Sequence, residues 1–145
     1  MAFLSSLDIA GSALTATRLR MDVISENIAN QNTTRTEKGG PYRRKMVVYE
    51  PRTDKGFDAV FQNALNQGDP KGVRVTKIIE DETPFKPVYR PEHPDANEQG
   101  YVMLPNVDPI KETIDMMAAT RAYDANITAF NAVKTMAAKG LEIGK

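Results

Sequence analysis

His93 is the only histidine in this 145-residue chain, set in Pro91-Glu92-His93-Pro94-Asp95. A Ser/His/Asp or Cys/His mechanism would have to run through it. No strained nucleophile turn accompanies it, however, and the chain has no cysteine. A loop histidine between prolines is the ordinary explanation. Glu80-Asp81-Glu82 offers carboxylates to a cation, but neither calcium-loop nor HExxH spacing surrounds them, so the run reads as a solvated acidic turn. Gly39-Gly40 lacks the Lys-Ser/Thr of a phosphate loop. Arg43-Arg44-Lys45 beside Tyr42 is a small basic patch. The whole chain balances 19 Lys+Arg against 19 Asp+Glu, which argues against nucleic acid or an anionic membrane as partner. These residues predict no enzyme, no cofactor and no metal site.

The elements that position them are set by where helix breakers fall. All nine prolines lie between Pro41 and Pro109, and six of the nine glycines between Gly39 and Gly100. The chain therefore divides into helix-permissive ends and a helix-hostile middle. In residues 1–34 the apolar positions follow a seven-residue repeat. Leu7, Leu14, Met21 and Ile28 hold one heptad position; Phe3, Ala10, Thr17 and Ile24 hold the other, with Thr17 the polar exception. A helix over residues 3–30, about 40 Å long at 1.5 Å per residue, is expected to turn its seam toward another helix. It ends in Asn27-Ile28-Ala29-Asn30-Gln31-Asn32-Thr33-Thr34, where Asn and Thr favour caps and turns.

The middle, 35–108, reads as a small β-rich lobe on long loops. Strands are expected over 42–50 and 72–80, a short edge strand over 85–89, and a short helix over 57–65. Residues 90–109 read as a Pro/Asp/Asn/Gly loop around the short apolar run 101–104. Residues 35–55 carry a net +4 and residues 80–98 a net −4. Opposite patches of this kind suit a head-to-tail interface, or pair within the folded lobe. Asp108-Pro109 then starts a C-terminal helix, 109–145, with an Asp N-cap and proline at the first helical position. Its stripe is Met116, Ala119, Tyr123, Ile127, Phe130, Val133, Ala137 and Leu141, and alanines crowd the other faces. The fold class is α+β: long terminal helices packed as an antiparallel coiled coil around a small β-rich lobe. A self-contained soluble helical hairpin, binding one partner through the lobe, accounts for the same composition.

The opening Met-Ala-Phe-Leu-Ser-Ser-Leu-Asp has no basic n-region and puts Asp8 where an apolar core would lie, so no cleavable secretory signal is expected. No apolar run approaches the ~18 residues needed to insert into a bilayer.

Two segments carry a family likeness. Ser25-Glu26-Asn27-Ile28-Ala29-Asn30-Gln31-Asn32-Thr33 resembles the N-terminal signature of the axial proteins of the bacterial flagellum: rod, hook and hook-associated proteins. Tyr123-Asp124-Ala125-Asn126 followed by Ala129 resembles their C-terminal helix motif. In the middle, Pro41-Tyr42-Arg43-Arg44-Lys45, Gly72-Val73-Arg74-Val75, Pro84-Phe85-Lys86, His93-Pro94-Asp95-Ala96-Asn97, Gly100-Tyr101-Val102 and Pro105-Asn106-Val107-Asp108 are similar to the proximal rod members of that family.

The resemblance implies a structural subunit of the proximal rod. Its terminal helices would line a hollow helical tube as a coiled-coil layer, transmitting torque and conducting exported subunits. It implies self-association, contact with the other proximal rod proteins, the rod–MS-ring adaptor and the distal rod protein, and passage through the flagellar type III export apparatus. The place implied is the periplasm-spanning rod of the basal body, reached without a cleavable signal. Carried onto this chain, the assembly motif is Asn27, Ile28, Ala29, Asn30, Asn32 and Thr33 with Tyr123, Ala125, Asn126 and Ala129. The helix–helix seam is expected at Leu7, Leu14, Met21, Ile24, Ile28, Met116, Ile127, Phe130 and Val133, with Leu14, Met21 and Ile24 packing on Tyr123, Ile127 and Phe130. Gly140 departs from the family pattern, and the last turn is expected to fray there.

Overall fold

The computed structural model describes residues 2–52, 57, 61, 65 and 72–143. In chain order the elements are α1 (Ala2–Ala29), β1 (Lys45–Pro51), β2 (Val73–Glu80), β3 (Lys86–Tyr89), β4 (Tyr101–Leu104) and α2 (Pro109–Ile143). Long helices at both ends and two small antiparallel sheets between them make the chain α+β, as the breaker distribution predicts.

α2 starts as expected. The Ile110 amide donates to the Asp108 carboxylate at 3.1 Å, and Pro109, which has no N–H to orphan, takes the first helical position. The helix then runs on through Gly140 to Ile143, and residues 144–145 of the turn expected to fray lie outside the described residues. One interior glycine costs only about 1 kcal/mol relative to alanine.

Strand limits differ from expectation at their starts, most of all in β1. β1 begins at Lys45 rather than residue 42, because the backbone before it is committed elsewhere. The Tyr42 amide donates to the Thr33 carbonyl at 3.0 Å, and the Arg44 amide to the Asn106 side chain at 2.8 Å. β1 pairs with β2; the Arg52 amide reaches the Gly72 carbonyl at one end, and the Asp81 amide the Arg44 carbonyl at the other, each at 2.8 Å.

The run 101–104, expected to lie in a loop, is a strand. β4 pairs with β3 in antiparallel register, Lys86 opposite Leu104, Val88 opposite Val102 and Tyr89 opposite Tyr101. A built turn closes this pair. Asn97 Oδ1 accepts the amides of Gln99 and Tyr101, and Gly100 takes φ 79°. Val102 faces inward and is buried, while the Tyr89 and Tyr101 rings meet edge-on outside, 5.3 Å apart. Four residues amid Pro, Asp and Gly are too few for alternation to show. Within the helix expected over 57–65, Phe57 and Phe61 are helical and stacked at 6.2 Å and Leu65 lies in a turn; its other residues lie outside the described residues.

The chain forms two compact units, and each terminal helix contributes to both. One unit comprises Met1–Leu19, Val48–Lys77 and Thr120–Lys145. Here Ser12 attaches β2 to α1: its Oγ donates to the Ile9 carbonyl at 2.7 Å and accepts the Val73 amide at 3.1 Å. On α2 the half-buried positions of this unit are Tyr123, Asn126, Phe130, Val133 and Ala137, spaced four and three alternately. Ile127, placed on the stripe by its hydrophobicity, lies just beside that line and is exposed, as is Leu141. The other unit comprises Arg20–Val47 and Ile78–Ala119. Its buried apolar residues include Val23, Ile24, Val102, Val107 and Ala119.

α1 buries more than its heptad seam. Ala10 and Ile24 on that seam are buried, and Leu7, Leu14, Met21 and Ile28 are half-buried. A second buried line, Ser12, Ala16, Val23 and Asn27, runs along another side of the helix. Its ends, Ser12 and Asn27, bond to the middle segment.

Candidate functional site

The N-terminal signature ends in the second unit at a cluster of buried polar side chains. Asn27 closes α1 from inside the helix rather than capping it, and only 1 % of its surface is exposed. All its hydrogen-bonding capacity is used. Nδ2 donates to the Lys45 carbonyl at 2.9 Å and to Glu112 Oε2 at 3.0 Å; Oδ1 accepts the Lys45 amide and the Tyr42 hydroxyl, each at 2.9 Å. The chain reaches this point by a turn that the signature itself builds. Asn30 Nδ2 donates to the Glu26 carbonyl at 2.9 Å, and the Thr33 hydroxyl to Asn30 Oδ1 at 3.1 Å.

Glu112 lies one turn into α2, opposite Asn27, with none of its surface exposed. Its charge is matched by Arg44, whose Nε donates to Oε1 at 2.6 Å. A fully buried carboxylate is tolerable only with such pairing. The same guanidinium reaches Asp115 at 3.3 Å and Asp81 at 3.8 Å, and Arg20 of α1 joins Asp115 at 3.6 Å. The pairs Asn27–Glu112 and Arg20–Asp115 show that α1 and α2 run antiparallel where they meet in this unit. Asn106 ties the loops above: Oδ1 accepts the Arg44 amide, and Nδ2 donates to the Asp81 carbonyl and to Thr83.

Part of the opposite charge along the middle segment is therefore spent within the lobe. Arg44 meets Asp81, Arg43 donates to the Asp81 carbonyl at 3.1 Å while lying over the Phe85 ring, and Lys38 meets Glu80 at 3.7 Å. Lys45 pairs with Glu26 of α1. Asp81 accepts the Thr83 amide, and this bond first, with the hydroxyl of Thr83 and the nearby Arg44 and Arg43 charges, holds its carboxyl below the ordinary aspartate value. The acidic turn 80–82 is thus an Asx turn joined to arginines.

Burial, and then the charges of Glu26, Glu112 and Glu80, push the Tyr42 hydroxyl well above the ordinary tyrosine range. The folded chain resists ionising Tyr42 while the unfolded chain ionises near pH 10, so the stability it contributes is complete below about pH 10 and is lost as pH rises further. Denaturant midpoints measured from about pH 9 to about pH 11 should fall more steeply for the wild type than for Tyr42→Phe. Equal slopes would mean that Tyr42 is not held neutral by the fold.

The remaining expected site residues divide between the units. Ile28 is half-buried; Ala29 and Asn32 are exposed. In the other unit Tyr123 and Asn126 are half-buried, and Ala125 and Ala129 are exposed. Met116, Phe130 and Val133 of the expected seam are half-buried. His93 sits in the loop before β4, its Nδ1 accepting the Asp95 amide at 3.1 Å. Among the described residues no group of three or more His, Cys, Asp or Glu could hold a metal, and no helix is long and apolar enough to cross a membrane.

Sequence reasoning missed Glu112, Arg44 as its partner, Asn106 and Ser12. One signal was present: Glu112 stands four residues before Met116 and seven before Ala119, a charge on the apolar line of α2.

Two long terminal helices, antiparallel where they meet beside Asn27, with small antiparallel sheets between them in sequence and the Asn27–Thr33 signature closing the first helix, define a class. Residues 7–35 match the family described as Flagella basal body rod protein, and residues 98–143 that described as Flagellar basal body rod FlgEFG protein C-terminal. The chain is 49% identical to the flagellar basal-body rod protein FlgC of Bacillus subtilis over 97% of each chain. It is 41% identical to FlgC of Escherichia coli O6:H1 over the whole of both, and 36% identical to FlgC of Aquifex aeolicus over 100% of this chain and 99% of that one. The chain belongs to the FlgC family of flagellar basal-body rod proteins.

Proposed function

We infer that this chain is a structural subunit of the flagellar basal-body rod and assembles there with other rod components. The observation that carries this reading is likeness to FlgC proteins along nearly the whole chain, middle lobe included. That likeness favours it over a self-contained hairpin module, which would share the terminal periodicity but not the lobe. The work is structural, and no reaction is assigned to it.

The finer reading is that the subunit occupies the proximal rod, touches the other proximal rod proteins, the rod–MS-ring adaptor and the distal rod protein, and arrives through the type III export apparatus. Its terminal helices would form the inner layer of a hollow shaft that carries torque and exported subunits. Two features support this reading. The outer faces of α2 remain apolar and exposed at Ile110, Ile114, Met117 and Met136, and the alanine faces at Ala118, Ala122, Ala125, Ala129 and Ala132 allow close helix approach. The assembly motif and the seam residues are proposed to act in these contacts.

Deleting the gene in a motile host that carries this chain should abolish swimming and leave basal bodies without a complete rod, and a plasmid copy should restore both. A deletion strain that swims with complete basal bodies would refute the rod reading. For the seam, Ile24→Asp and Phe130→Asp should each eliminate the swimming halo in that complementation assay, since a charge on a helix–helix seam is left without water or a partner. The seam assignment fails if both variants swim normally.

A further inference from the structure

Family likeness places Asn27, Asn30 and Thr33 in the assembly motif, yet within one chain their side chains are already engaged. Asn27 bonds to residues 15, 18 and 85 positions away: Tyr42, Lys45 and Glu112. We propose that Asn27, Tyr42, Arg44 and Glu112 form an intrasubunit latch. It closes the loop after α1 back on the helix and joins the end of α1, the segment 42–45 and the start of α2 into one cooperative body before any neighbouring subunit docks.

The chemistry requires asparagine at this position. The site offers two donors, the Tyr42 hydroxyl and the Lys45 amide, and two acceptors, the Lys45 carbonyl and the Glu112 carboxylate. Only a side-chain amide supplies two N–H donors and two acceptor lone pairs together, which meets all four. Aspartate would accept from the donors but leave the Lys45 carbonyl unmet and set a second carboxylate against Glu112. Arg44 completes the device, neutralising Glu112 from the middle segment while its own amide is held by Asn106. No group outside the chain is needed to satisfy the cluster. The signature therefore has two parts: Asn27, Asn30 and Thr33 shape the subunit, and the exposed Asn32 remains on its surface.

Amide hydrogen exchange on the dilute, purified monomer tests the latch without reference to the rod reading, because no assembly enters the measurement. In the wild type, residues 23–29, 45–47 and 110–115 should be protected. In Asn27→Asp their protection should fall together, by about tenfold or more, as expected when buried partners are left unmet. Asn32→Ala should leave all three unchanged. Free exchange of these segments in the wild-type monomer would overturn the proposal, because the cluster would then need neighbours to form. A loss confined to α1 in Asn27→Asp would also overturn it, reducing Asn27 to a local helix end. Should Asn27→Asp fail to fold, Tyr42→Phe removes only the hydroxyl bond to Oδ1. A smaller drop shared by the three segments supports the latch, and unchanged protection refutes it.

Discussion

Glu112→Ala is expected to destabilise the unit formed by residues 20–47 and 78–119 by about 3–5 kcal/mol, the usual cost of removing one partner of a buried ion pair. The magnitude follows from what is left behind. Arg44 would lose its 2.6 Å contact with the buried carboxylate, and Asn27 Nδ2 one of its two acceptors. A cavity would open beside Asn27, where only 1 % of surface is exposed. Small domains are stable by about 5–15 kcal/mol, so this loss removes roughly a fifth or more of the total. Glu112→Gln separates the contributions: it keeps the shape and an oxygen for Asn27 but leaves the Arg44 charge to Asp115 and Asp81, and should cost less. Lys38→Ala, which removes an exposed pair with Glu80, should change stability by no more than about 0.5 kcal/mol. Urea midpoints of the three variants provide the check. A Glu112→Ala midpoint as close to wild type as that of Lys38→Ala would mean that the buried pair contributes no stability.

These contrasts explain what the sequence could and could not reveal. The helices were legible because their evidence is local and repeated: the heptads of 7–28, the Asp108-Pro109 start, and the absence of breakers over 110–139. Strand β4 was not legible, since its four residues acquire meaning only opposite Lys86–Tyr89. Nor did the spacing reveal that α1 is buried on two sides. Ser12 and Asn27 look like polar interruptions in a helix, and become necessary only when Val73 and Lys45 arrive from elsewhere in the chain. Glu112 was obscured by a sound rule. Acids in the first turns of helices are ordinarily exposed and favoured by the helix dipole, and nothing near it in sequence announces Arg44, 68 positions away. The signature residues were found by family likeness, but the direction of their side chains was not. For Asn27 that direction alters the expected consequence of substitution, from weakened docking to a loosened subunit.

Gly72→Ala should be the most damaging glycine-to-alanine change among the described glycines of the other unit. Gly72 takes φ 99°, where a Cβ is strained, and an added Cβ would lie 2.2 Å from Ser12 Oγ, 3.1 Å from its Cβ and 3.3 Å from the Ile9 Cα. The Ser12 side chain cannot simply swing away, because its Oγ donates to the Ile9 carbonyl and accepts the Val73 amide that attaches β2 to α1. Ile9 Cα belongs to the helix backbone and yields still less. The strand must retreat from the helix or the hydroxyl must lose both partners. Backbone strain of about 1–3 kcal/mol and overpacking of about 1–3 kcal/mol therefore combine into an expected loss of about 2–6 kcal/mol. Gly40→Ala isolates the first contribution: it has φ 80° but nothing within 4 Å of the added Cβ, so it should show strain without collision. Ser12→Ala isolates the second bond, leaving the Val73 amide without its acceptor while still crowding an added methyl at 72. If Gly72→Ala destabilises no more than Gly40→Ala, β2 does not press on α1 at Ser12. If the double variant Gly72→Ala/Ser12→Ala is more stable than Gly72→Ala alone, the Ser12 hydroxyl is the colliding group, and the close approach of strand to helix is what glycine at 72 preserves.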